Sequence, residues 1–185
     1  MTVAGPQPVV LVLASGRGER FLASGGGGAK LQALLAGRPV LEHTLAAVRA
    51  SGLPWHVEDA GHPGMGDSIA AAVRATRAAA GWLVLPGDLP LVRPRTLRQV
   101  AQALAAADVV VPTWESRRGH PVGFSPRCGE ALARLSGPMG AAAVVQAHAP
   151  GLTLLPVDDD GILVDIDTVQ ALAHAEQLLA ARGGG

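Results

Sequence analysis

Val9-Val10-Leu11-Val12-Leu13-Ala14 is an unbroken apolar run rich in β-branched residues and closed by Ser15-Gly16. That is the pattern of a short strand covered on both faces of a parallel sheet. Trp82-Leu83-Val84-Leu85, Asp108 to Pro112 and Leu152 to Val157 read the same way. Between them apolar positions recur at helical spacing. Leu41, Leu45 and Val48 predict a helix over Val40 to Ser51, ended by Gly52. Further helices are expected after Asp67-Ser68, whose side chains are placed to cap free N–H groups, over Arg95 to Ala107, and from Val169 to about Ala181. Ile162 to Thr168 is read as one more strand, in which alternation puts Asp165 and Asp167 on one face. Strands alternating with helices predict an α/β fold with a mainly parallel sheet, helices on both faces, and ligands at the carboxyl edge of the strands.

Composition narrows the picture only modestly. At 185 residues and 49% hydrophobic, the chain is expected to form one domain over 1–185, with 1–8 and 183–185 flexible. Lys+Arg and Asp+Glu are 15 each, so no broad basic field points to nucleic acid or a membrane as partner. The single cysteine, Cys128, excludes an intrachain disulfide and sits in no metal or nucleophile pattern. No charged leader with a long apolar stretch opens the chain, and a cytoplasmic location is the expectation.

The chemistry concentrates at strand ends. Ser15-Gly16-Arg17-Gly18 must turn sharply after the first strand, letting backbone N–H groups approach a phosphate, and Arg17, Arg20 and Lys30 bring positive charge there. A Walker loop is disfavoured because no Gly-Lys-Ser/Thr follows Gly16. A dinucleotide fingerprint is disfavoured because Phe21 stands where the third glycine belongs. Pro86-Gly87-Asp88-Leu89-Pro90 places a carboxylate on a tight turn after the Trp82 strand, suited to a hard cation such as Mg²⁺. Gly64-Met65-Gly66-Asp67-Ser68 is a glycine turn opening a helix. Arg117-Arg118-Gly119-His120-Pro121-Val122-Gly123-Phe124 follows another strand, and Asp165-Ile166-Asp167-Thr168 precedes the last helix.

Leu13-Ala14-Ser15-Gly16-Arg17-Gly18-Glu19-Arg20-Phe21 with Lys30, Gly-Met-x-x-Ser, Gly-Asp-x-Pro, Gly-His-Pro-Val-x-Phe and Asp-x-Asp-Thr occur in the order found in molybdenum cofactor cytidylyl- and guanylyltransferases, and the chain resembles that family of nucleotidyltransferases. The resemblance implies a three-layer Rossmann-like nucleotidyltransferase domain. It further implies Mg²⁺-dependent transfer of a nucleoside monophosphate from an NTP to a phosphorylated acceptor, with release of pyrophosphate. Carried over residue by residue, Arg20, Lys30 and Asp88 act in catalysis. Leu13, Ala14, Ser15, Gly16, Arg17, Gly18, Lys30, Gly64, Met65, Ser68 and Gly87 hold the nucleotide, with Ser68 near its base or ribose. His120 and Pro121 meet the acceptor, and Asp88 and Asp167 bind the metal.

The Gly119 to Phe124 segment and the Gly64-Met65-x-x-Ser68 turn resemble the cytidylyl branch more than the guanylyl branch, whose first loop has a Gly-Gly pair where this chain has Ser15-Gly16, so CTP and a molybdopterin acceptor are the expected substrates, with room for a molybdoenzyme or chaperone contact. Guanylyl transfer, a sugar-phosphate acceptor, and a non-catalytic nucleotide-binding or cofactor-delivery module are the alternatives. The chain departs from the family in three places. A tetraglycine, Gly25 to Gly28, precedes Lys30 and is expected to be a mobile flap. About one β-α unit is missing before Asp59. Ser136 to Ala142 lacks the acidic and arginine residues of the branch. Asp158 to Asp160 reads as a solvated acidic turn.

Overall fold

The residues of the first apolar run part by parity. In the computed structural model, which describes residues 6–16 and 18–183, they form β1 (Val9–Leu13). Val10 and Val12 face one hydrophobic cluster and Leu11 the opposite one. The chain continues as α1 (Glu19–Ala23), β2 (Leu34–Leu35), β3 (Arg38–Pro39), α2 (Val40–Ser51), β4 (Trp55–Glu58), α3 (Met65–Ala75), β5 (Trp82–Pro86), α4 (Pro94–Ala103), β6 (Val109–Trp114), β7 (Arg117–Arg118), β8 (Val122–Phe124), α5 (Gly129–Ala133), α6 (Ala142–Ala147), β9 (Leu152–Pro156) and α7 (Val169–Gly183).

One seven-stranded sheet carries the fold. β1 pairs in parallel with β4 and β5, and β6 pairs in parallel with β9. Antiparallel β8 joins β5 to β6, while β7 pairs farther along β6. Leu83 and Leu85 of β5 join Val10 and Val12 against Leu45 and Val48 of α2 and Leu97 and Val100 of α4. Val84 joins Leu11 on the other face against Ile69 and Val73 of α3 and Leu132 of α5. The result is the expected Rossmann-like, three-layer α/β arrangement. Each fully buried Val or Leu in it stabilises the fold by about 1.5–3 kcal/mol. A third cluster, of Phe21, Leu35, Val40, Leu91, Ile166 and Ala175, packs α1 and α7 against the loops at the carboxyl edge. No helix among the described residues is long and apolar enough to cross a membrane.

Helix α2 begins and ends where its spacing predicts, with Gly52 left-handed at its end (φ 73°). Elsewhere the structure corrects the reading. Ile162 to Thr168 is not a strand: Asp160–Leu163 is a 3₁₀ turn, and the chain to Thr168 is irregular. Gly161 lies so close to the Leu91 backbone that no Cβ fits there, and Ile166 N donates to Asp88 O (3.0 Å), so tertiary packing sets this path. Asp67 does not cap α3. Its Oδ2 accepts from Gly137 N (2.9 Å), and Ser68 Oγ donates back to Gly64 O (3.3 Å). Helix α4 stops at Ala103, short of Ala107. Of the ends expected to be flexible, residues 1–5 and 184–185 lie outside the described residues, while Gln7 is held, its O accepting from Ala80 N (3.2 Å). Among the described residues β4 pairs with β1 alone and forms an edge of the sheet.

The acidic run is solvated at Asp158 as expected, but Asp159 is a buried anchor. Asp159 is 1% exposed; its Oδ2 accepts from Arg93 N (2.9 Å) and Thr96 Oγ1 (2.6 Å), and its Oδ1 from Gly161 N (3.1 Å). Asp160 pairs with Arg182 of α7 and Asp158 with Arg95 of α4 (2.7 Å). Asp159 therefore supplies acceptors for the start of α4 and for the 3₁₀ turn at once. Replacing it strands buried donors, so Asp159→Ala should lower unfolding free energy by about 3 kcal/mol, read from denaturant midpoints at unchanged slope. A loss within a few tenths of a kcal/mol would show that the contacts carry no weight.

Candidate active site

The ends of β1 and β5 lie side by side, Leu13 opposite Pro86, and both open into one cleft. Gly87 N donates to Leu13 O (2.9 Å), and a Cβ on Gly87 would stand 3.0 Å from both that oxygen and Leu41 Cδ1. Glycine there lets the turn pack down and present Asp88 to the cleft. The bond from Ile166 N to Asp88 O then brings Asp167 alongside.

Lys30 closes the arrangement. Its Nζ donates to Asp88 Oδ2 (2.5 Å) and to Asp167 Oδ1 (2.9 Å), while Arg20 Nη1 lies 2.6 Å from Asp167 Oδ2. Gly18, left-handed at φ 65°, makes this approach feasible, since a Cβ on it would stand 2.9 Å from Lys30 Cβ. The tetraglycine does not carry Lys30 away. Gly26 N donates to Phe21 O (3.0 Å) and packs against the buried Phe21 ring, folding the chain back toward Lys30.

The charges tune one another. Burial disfavours the Lys30 ammonium, but Asp88 and then Asp167 outweigh it, and its pKa is raised. Burial raises Asp167, yet the hydrogen bond and charge of Lys30, with Arg20, outweigh that and hold it below the ordinary carboxylate range. Asp165 moves upward, first through burial and then through the nearby Asp167 and Asp88 carboxylates. Burial lowers His120 despite Asp88, which leaves a neutral imidazole near pH 7.

The cleft measures about 800 Å³. Leu13, Ser15, Gly16, Gly18, Arg20, Lys30, Gly64, Met65, Ser68, Asp88, His120 and Asp167 all line it, so twelve residues picked from five separate motifs converge. Ala14, Gly87 and Pro121 do not line it. Ala14 N is bound to Glu58 O (2.8 Å), Gly87 is packed under β1, and Pro121 is buried. Arg17 lies outside the described residues. Arg117 and Arg118 stand on the rim and Asp165 joins them. Because β7 and β8 flank it, Gly119-His120-Pro121 interrupts what would be one strand along β6. Gly119 N donates to Pro112 O (2.9 Å) and His120 N to Ile162 O (3.1 Å), which turns His120 to the cleft wall.

Two carboxylates from distant parts of the chain already share one cationic atom, and Asp165 stands beside them. That donor set fits a hard divalent cation with open positions for water and phosphate oxygens. Among the described residues no group of three His, Cys, Asp or Glu side chains is placed to hold a metal ion.

No motif in the sequence marks His62 or Glu58. His62 lines the cleft, and its Nε2 lies 3.0 Å from Oε1 of the buried Glu58. The available signal was a carboxylate ending an edge strand a few residues before a glycine turn.

A family model described as a MobA-like NTP transferase domain matches residues 10–152. Among curated proteins the chain is similar to 2-C-methyl-D-erythritol 4-phosphate cytidylyltransferase of Cereibacter sphaeroides, at 32% identity over 94% of this chain and 97% of the relative. Among solved structures it is similar to Rv0371c of Mycobacterium tuberculosis H37Rv, at 25% identity and TM-score 0.79 over 95% of this chain and 100% of that one. Rv0371c has also been solved in complex with manganese, matching here at 24% identity and TM-score 0.74 over 92% and 98% of the two chains. A nucleotidyl transferase from Methanothermobacter shares the fold at 20% identity and TM-score 0.81, over 96% of this chain and 100% of that one.

The Lys30 bridge carries its own pH signature. Asp167 titrates below the ordinary carboxylate value in the folded chain, so its contribution to stability is present above that value and is lost as pH falls through the lowered one. Removing Lys30 removes the chief cause. In Lys30→Met the Asp167 midpoint, followed by carboxyl ¹³C NMR, should move upward, and acid unfolding should begin at higher pH. An unmoved midpoint would assign the lowering to Arg20 instead.

Proposed function

The chain belongs to the MobA-like NTP transferase domain family, and on that premise we propose that it is a Mg²⁺-dependent cytidylyltransferase that moves CMP from CTP onto a phosphorylated acceptor such as molybdopterin. The observation that carries the proposal is the convergence of Lys30, Asp88, Asp167 and Arg20 at the mouth of the glycine loop. An oxygen of the acceptor phosphate forms a bond to the α-phosphorus, the bond from that phosphorus to the β-bridging oxygen breaks, and pyrophosphate leaves. Two phosphate-bearing reactants repel one another, so the residues' task is to neutralise and align them. Mg²⁺ held by Asp88 and Asp167 would supply Lewis-acid neutralisation of phosphate oxygens. Lys30 and Arg20 bring point charges to the polyphosphate, and the backbone of Ser15, Gly16 and Gly18 lies where it can meet phosphate oxygens without obstructing side chains. Gly64, Met65 and Ser68 form the nucleoside wall. His120, neutral and walled in, donates a hydrogen bond to the acceptor, and Arg117 and Arg118 at the rim meet its phosphate.

The chain is read as a single catalytic unit, cytoplasmic, with a molybdoenzyme or chaperone as the receiver of product. A polyol phosphate is the second acceptor reading, and the 32% identity to a cytidylyltransferase named for such an acceptor supports it. Both acceptors present a phosphomonoester, which is the group that Arg117, Arg118 and His120 would meet.

Pyrophosphate release with CTP, GTP, ATP and UTP against molybdopterin and methylerythritol phosphate decides among the readings. CTP-dependent release with molybdopterin supports the first, a GTP preference overturns the base, and no release with any pair leaves a binding module. Asp88→Ala should abolish release in a folded protein. Lys30→Ala should lower kcat/KM at least about tenfold, equivalent to about 1.4 kcal/mol. Wild-type kinetics in either variant would remove that residue from the mechanism.

A further inference from the structure

Glu58 sits at the junction of the edge strand and the glycine loop. Its register partner is Leu13, and its carbonyl oxygen accepts from Ala14 N (2.8 Å) and from Ser15 Oγ (3.0 Å). Its side chain turns the other way. Oε1 accepts from Ala60 N (3.3 Å) and from His62 Nε2 (3.0 Å), and Oε2 lies 3.5 Å from His56 Nε2. Burial raises the carboxyl, but the Ala60 N–H and the two imidazoles outweigh it and keep it ionised. An ionised carboxylate only accepts hydrogen bonds, so Nε2 of His62 must carry the proton in this pair. In the neutral tautomer that carries this proton, Nδ1 has a bare lone pair. Among the described residues that nitrogen has no hydrogen-bond partner, and the ring lines the cleft two residues before Gly64, with Met65 and Ser68 on the same wall.

We propose that His62, fixed in one tautomer by Glu58, reads the nucleobase, its Nδ1 accepting a hydrogen bond from an exocyclic amine. The inference rests on the proposed reading that a pyrimidine nucleotide lies against the Gly64 to Ser68 wall. Cytosine offers a 4-amino donor to such an acceptor. Uracil offers a 4-oxo group, which sets two lone pairs against each other and leaves both unpaired. A site built around one buried hydrogen-bonding group rejects the mismatched analogue more strongly than apolar contacts can. Glu58 is the positioning residue: it touches no substrate, and it decides which ring nitrogen is the acceptor.

Calorimetric titration of the full chain with CTP and with UTP, each with Mg²⁺, tests this. The unaltered protein should bind CTP at least about tenfold more tightly than UTP. His62→Ala should bring the two to within about twofold of each other. Glu58→Gln keeps the volume but presents both a donor and an acceptor, so it should relax the CTP preference while His62 populates both tautomers. In ¹⁵N spectra His62 should be protonated at Nε2 in the unaltered chain and mixed in Glu58→Gln, a signature that a merely structural role would not move. Equal affinity for both nucleotides, binding of neither, an unchanged preference in His62→Ala, or a proton on Nδ1 in the unaltered chain would each overturn the proposal. A retained CTP preference without pyrophosphate release would sink the transfer reading alone and leave base recognition standing.

Discussion

The ammonium of Lys30 between Asp88 and Asp167 is the interaction on which the site depends, because it joins the charges of three distant parts of the chain at one atom. The lysine is 58 residues from one carboxylate and 137 from the other. All three side chains are largely enclosed, Lys30 at 12%, Asp88 at 13% and Asp167 at 21% exposure, so each charge would be costly alone. Several backbone features serve that meeting. Gly18 clears the path of Lys30, Gly26 folds against Phe21, Gly87 lets the Asp88 turn pack under β1, and the Ile166 to Asp88 hydrogen bond registers the last loop.

The layers of the fold were readable because they depend on short-range pattern. Unbroken apolar runs marked β1 and β5, and their division by parity between two helix layers is what burial on both faces means. The site was readable motif by motif, since strand ends with glycine turns lie at the ligand edge of a parallel sheet whatever the details of the sheet. What escaped were features set by distant partners. The Ile162 to Thr168 segment has the alternation of a strand, but the close fit of Gly161 under Leu91 and the capture of Asp159 by Arg93 and Thr96 bend it into a 3₁₀ turn. Asp67 looked like a local cap and instead binds the backbone of Gly137, 70 residues on. Glu58 and His62 matched no motif, and only the pairing of β4 with β1 puts them beside the glycine loop.

The broken return strand has a similar logic. Gly119 N still donates to Pro112 O on β6, but the ladder breaks after it: His120 N binds Ile162 O, which ties the cleft wall to the same segment that carries Asp165 and Asp167. The path of one loop therefore governs both the carboxylates and the imidazole opposite them, and Asp159, buried beneath that loop, supports each at a distance.

Charge in the cleft then constrains how a nucleotide can enter it. Among the described lining residues Arg20, Lys30, Arg117 and Arg118 are cationic and Glu19, Asp88, Asp165 and Asp167 anionic, four of each, and Lys30 is already engaged by two of the carboxylates. The cleft is thus not a positive trough waiting for a bare polyphosphate. A triphosphate arriving alone would have to draw Lys30 from Asp88 and Asp167 and leave two enclosed carboxylates facing its own negative charge. On the proposed reading, a cation arriving with the nucleotide would solve both problems: Asp88 and Asp167 would hold it, and Lys30 would be free to meet phosphate. On that reading the ion pair that holds the site together would also make nucleotide binding depend on metal.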